Sequence, residues 1–83
     1  MNKIQRERWA LIKPETSEIF CGLARNYQFK KIDNLGDTAI KTYVSEKKAI
    51  SSFISSWGHA EELLESGKVT IVKVMETVEF LEN

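Results

Sequence analysis

The chain has 83 residues, 42% of them hydrophobic, with twelve Lys/Arg against twelve Asp/Glu and a single cysteine. Such a length and apolar content suit one small globular domain and argue against disorder, one cysteine excludes an internal disulfide, and zero net charge argues against a broadly basic nucleic-acid-binding surface. No run reaches the roughly 18–20 apolar residues of a membrane helix, and the polar start, Met1 to Arg8, lacks the apolar core of a signal peptide, so the expectation is a cytoplasmic protein with no membrane contact. The charge is unevenly divided. Residues 1–48 hold ten Lys/Arg and six Asp/Glu, whereas residues 49–83 hold two and six. A solvated surface accounts for that split, although it would also steer a partner of complementary charge.

Residues 1–8 are mostly polar and read as a loosely ordered lead-in to a single domain spanning 1–83. Trp9 to Lys13 reads as a first strand, ended by Pro14, which cannot donate to a ladder. Pro14 to Glu18 is turn chemistry. Ile19 to Ala24 reads as a second strand, hairpinned to the first, with Ile19, Cys21 and Leu23 on one face and Gly22 marking a bulge or close approach. Tyr27, Phe29 and Ile32 then alternate with polar residues, so either the second strand extends or a short extra strand follows. Asp33 to Asp37 is a turn in which Gly36 can take a positive φ. Thr38 to Val44, rich in β-branched and aromatic residues, reads as a third strand.

Ser45 to Gly58 is the one clear helix. Ala49, Ile50, Phe53, Ile54 and Trp57 fall on one helical face, Ser45 suits the N-cap, and Gly58 suits a left-handed stop. His59 to Gly67 has helical composition too, and we expect a break at Gly58 rather than a continuous helix. Lys68 to Phe80 reads as the last strand, with Val72, Val74, Val78 and Phe80 on one parity and Glu76 interrupting it. The predicted class is α+β: about four antiparallel strands, in the order β-β-β-α-β along the chain, packed on one main helix with a short second helix.

Little in the sequence carries chemistry. His59 is the only histidine, and Cys21 reads as a small core residue. One Cys and one His cannot build a structural zinc site. The phosphate-loop, dinucleotide and nucleophile-elbow motifs are all missing. Glu61, Glu62 and Glu65 read as a solvated helix face. The expectation is a non-enzymatic protein with no cofactor and no metal.

Two binding readings remain. Arg25, Tyr27, Phe29, Lys30, Lys31 and Lys41 interleave aromatic and basic groups, a combination that stacks bases and neutralises phosphates on single-stranded nucleic acid. Those residues are the candidate binding surface. The other reading, which we favour, is a protein-binding module that docks a protein partner through a sheet edge; a third, structural possibility is a homodimer through the last strand.

The pattern of Trp9 to Lys13, Ile19-Phe20, Gly22-Leu23, Phe29, Ala39, Tyr43, Ser45 and Ala49 resembles small accessory proteins of phages of Gram-positive bacteria. These open on an aromatic-x-Ile-Lys strand and place Tyr-x-Ser before a helix. The resemblance covers about residues 8–57. It implies an accessory role in a phage or prophage, binding and modulating a host protein, and it carries no active site to transfer.

Overall fold

Two segments near the ends of the chain pair into one long ribbon. In the computed structural model, which describes residues 3–22 and 28–80, β1 (Lys3–Lys13) and β4 (Thr70–Glu79) pair antiparallel without interruption from Lys3↔Glu79 to Ile12↔Thr70. On the other side of β1, β2 (Glu18–Phe20) pairs at Ile12↔Ile19 and Lys13↔Glu18. β3 (Phe29–Lys31) pairs with β2, giving a sheet of order β3-β2-β1-β4. A 3-10 turn at Ile32–Asn34 follows, and Gly36 takes φ +56° in the turn beyond it. The α+β class therefore stands, with four antiparallel strands and two α-helices among the described residues.

Two strand expectations need correction. The lead-in is ordered as strand from Lys3, because each residue there finds a partner on β4. Apolar alternation cannot see a polar strand whose backbone is satisfied by its neighbour. Conversely, Thr38 to Val44 joins no strand ladder and forms only one bridge, Tyr43↔Trp9. β2 already occupies the edge of β1 at Ile12 and Lys13, so this segment reaches only the stretch that β2 leaves. Its Lys41 N–H donates to the Phe20 carbonyl at 3.1 Å, and Tyr43 exchanges both backbone bonds with Trp9.

Helix α1 (Glu46–Ser56) starts as its sequence dictates: the Ser45 hydroxyl accepts from the Lys48 N–H at 3.1 Å. Ala49 and Phe53 are fully buried and Trp57 packs beside them, but Ile54, expected in the core, is 39% exposed. The helix does break before Gly58, though not by a left-handed glycine. Trp57 turns extended, and it is His59 that takes φ +61°, a conformation in which His is several-fold enriched. Helix α2 (Ala60–Ser66) then ends at Gly67, whose φ of +79° costs an L-residue about 1–2 kcal/mol.

The core lies between the helices and one face of the sheet. Leu11, Phe20, Tyr43, Ala49, Phe53, Ala60 and Val69 are buried together, with Trp9, Phe29, Trp57, Leu63, Leu64 and Ile71 packed around them. At one end, Phe20, Phe29, Phe53 and Trp57 form a cluster of rings with centroids 5.1–6.2 Å apart, mostly edge-to-face. Such pairs each add about 0.5–1.5 kcal/mol beyond their buried area.

Candidate functional site

Among the described residues, the aromatic and basic side chains singled out as a binding surface, Phe29, Lys30, Lys31 and Lys41, are not gathered into one. Arg25 and Tyr27 lie outside the described residues. Phe29 is spent on the core: its ring lies 5.1 Å from Phe20 and 5.3 Å from Trp57, with the Lys13 ammonium 4.4 Å above it. Lys30 and Lys31 are consecutive strand residues and so point to opposite sheet faces. The Lys30 Nζ donates to Thr38 Oγ1 and the Lys31 Nζ to the Thr16 carbonyl, both at 2.8 Å. Lys41 lies 5.6 Å over the Tyr43 ring. A base-stacking platform needs an open ring beside free cations; among the described residues the Phe29 ring is half-buried against the core and the three lysines are scattered.

The candidate reactive groups are separated as well. Cys21 is half-buried, its Sγ 3.5 Å from the Ile19 carbonyl. Burial pushes the thiol pKa up, partly offset by the Lys30 charge, so the nucleophilic thiolate is disfavoured. It borders an open cleft of about 590 Å³ shared with Lys30, Leu35 and Thr38. His59 belongs to a different cleft, beside Glu61, Glu62 and Glu65, and its Nδ1 lies 3.8 Å from Glu62 on an exposed surface. Among the described residues, no three His, Cys, Asp or Glu side chains come together as a metal set.

What the structure does assemble is a second apolar sheet face, one that the helices do not cover. Side chains alternate along a strand, so the register sorts β1 and β4 into two sets. Leu11 and Ile71, then Trp9 and Lys73, form the set beneath the helices. The opposite set runs Ile12/Thr70, Ala10/Val72, Arg8/Val74, Arg6/Glu76 and Ile4/Val78. The apolar parity of the last strand therefore faces away from the helices. Ala10 and Ile19 are buried on this side at 0% and 6% exposure, outside the main core cluster. Ile40 and Thr42 meet Ile19 and Val74 across a shallow cleft of about 280 Å³. Arg8 ties that arrangement together by donating to both the hydroxyl and the carbonyl of Thr42 at 3.2 Å.

The sequence held a signal for this second face that parity alone did not decode. Apolar residues occupy both parities between Val69 and Val74, the mark of a strand with apolar neighbours on both sides. Only Ile71 of the strand's residues was needed under the helices. Parity groups Val72, Val74 and Val78 on one face, but it does not say which face the helices cover.

Beyond Trp9 and Lys73 the ribbon leaves the body. Lys3, Ile4, Gln5, Arg6 and Glu7 are all exposed, and so are Met75 (60%), Val78 (38%) and Phe80 (54%). The molecule is 48 Å long but only 26 and 22 Å across, with a radius of gyration of 14.0 Å against about 12 Å for a compact chain of this length. Two exposed ion pairs brace the ribbon across its strands, Arg6–Glu76 at 2.7 Å and Lys73–Glu7 at 3.3 Å. None of the described helices is long and apolar enough to cross a membrane. Compared with family models, with curated proteins and with solved structures, the chain matches none.

Proposed function

We propose that the protein is a non-enzymatic protein-binding module whose partner docks on the sheet face that the helices leave half-open. One observation carries this reading: the apolar parity of β4 turns away from the helices and continues, through Ile40, into a half-open apolar surface. Exposed apolar area of this kind, rimmed by charge, marks interaction surfaces more often than scattered single residues do. The rim here is Arg6, Arg8, Glu76 and Lys30. The resemblance to phage accessory proteins makes a host protein the partner we propose, bound so as to modulate its action.

The test uses the full chain, tagged and captured with Gram-positive host extract, beside an Ile40→Glu variant. Ile40 is 41% exposed and takes no part in a strand, so the variant should melt like the parent. We expect a defined host protein retained by the parent and lost by the variant. Recovery of nucleic acid without protein would overturn the reading in favour of single-strand binding. Equal retention by both would move the contact off this face.

A further inference from the structure

We infer that the free edge of β4 pairs with the same edge of a second copy, antiparallel about a two-fold axis at Glu76, joining two sheets into one. The backbone sets which groups are available. Trp9 gives both its N–H and its carbonyl to Tyr43, so its main chain faces away from β4. Neighbouring residues alternate in direction, so Arg8 and Ala10 bond to β4, through Val74 and Val72. Ile71, Lys73, Met75, Thr77 and Glu79 consequently turn their N–H and carbonyl groups outward along the free edge. That edge is long, and its register with β1 runs without a bulge or proline to blunt it.

Self-pairing is favoured over other occupants because the edge is complementary to itself in one register. With Glu76 opposite Glu76, Lys73 of each copy faces Glu79 of the other. Val74 faces Val78, Val72 faces Phe80, and Met75 faces Thr77. The outward groups then meet as hydrogen-bonded pairs, about eight backbone bonds in all. The like charges on the axis are compensated within each copy, since Arg6 Nε already holds Glu76 Oε1 at 2.7 Å. Lys73, 3.3 Å from Glu7, becomes a bridge between Glu7 and the other copy's Glu79. The neighbouring two-fold registers set Glu76 against Val74 or Val78 and lose the Lys73–Glu79 match. Direct opposite-charge pairs stabilise antiparallel strands, and like pairs destabilise them.

This inference stands apart from the proposed host partner, since edge pairing leaves both helices and the apolar face of each copy on their own sides of the joined sheet. Sedimentation equilibrium of the full chain, from low to high micromolar, should show the mass rising to twice the 9.5 kDa of one copy. Thr77→Pro removes an outward N–H that β1 does not use, a substitution an edge strand tolerates. It should weaken association by at least about tenfold without changing the melting of the dilute protein. Lys73→Glu, an exposed substitution, gives an independent route: it should weaken association similarly, and adding Glu79→Lys should restore it. In a Cys21→Ala background, Glu76→Cys should form an intermolecular disulfide on oxidation, because a residue on the axis meets itself, while Val74→Cys should not. A monomer at all concentrations, a dimer indifferent to Thr77→Pro and Lys73→Glu, or crosslinking at Val74 in place of Glu76 would each overturn the inference. None of those outcomes bears on Ile40-dependent capture of a host protein.

Discussion

The body under α1 and the projecting end of the β1–β4 ribbon are made of the same two strands yet are held by different forces. In the body, Leu11 and Phe20 are buried against Phe53 and Ala49, and the ring cluster fixes how helix and sheet meet. In the ribbon end, the described side chains are mostly exposed, and a backbone ladder with two surface ion pairs does the holding. Surface pairs of this kind contribute about 0–1 kcal/mol each, and an isolated two-stranded ribbon is marginal in water. The ribbon end is therefore stable only because the body clamps its other end. Stability is concentrated where apolar area is enclosed, and the exposed ladder is left available for other contacts.

The sharpest way to break this comparison is at Phe53, the fully buried ring that touches Phe20, Phe29 and Trp57. Phe53→Ala should cost about 3–5 kcal/mol, most of what a domain of this size holds. Because the ribbon has no support of its own, both regions should be lost in one thermal transition, followed by circular dichroism. A variant that melts near the parent temperature would show that the ring cluster is not what clamps the ribbon. Ser45→Ala tests the same body more gently. Removing the hydroxyl that accepts from Lys48 should cost about 1 kcal/mol, read as a lower denaturant midpoint with an unchanged slope.

These differences also explain which parts of the molecule could be read from the chain. The α1 segment was legible because its start and its buried face are encoded locally, by Ser45 and Phe53; its break falls beside Gly58 as expected, although Trp57 and His59 rather than the glycine make the turn. The ordered start of β1 was not, because Lys3 to Arg8 carries no apolar period, and only the partner strand some seventy residues away makes it a strand. Thr38 to Val44 shows the reverse failure. Its β-branched alternation is real, with Tyr43 buried and Ile40 exposed, but a ladder also needs a free edge, and β2 had taken most of it. The candidate site divided in the same way. Phe29 has the composition of a stacking platform, yet its use was decided by contact with Phe20 and Trp57. The docking face depended on which side of β4 the helices cover, and strand parity does not encode that choice.

The smallest expected effect lies at Arg6, and its size relative to Phe53 sharpens the contrast between the two regions. The guanidinium is exposed and its one described partner is Glu76, directly across the ribbon. In a dilute sample, Arg6→Ala should lower stability by less than about 1 kcal/mol, with the difference shrinking further in high salt as the pair is screened. At high concentration the same substitution should act more strongly if two Glu76 side chains meet across an axis, because each would then lose the cation that neutralises it. Melting measured at both concentrations and at low and high salt separates the two contributions. A loss near zero when dilute, rising with concentration and suppressed by salt, is the pattern expected of a ribbon whose charges matter more for pairing than for folding. A large loss in the dilute sample would instead make the Arg6–Glu76 pair a structural clamp, and the division between body and ribbon would have to be redrawn.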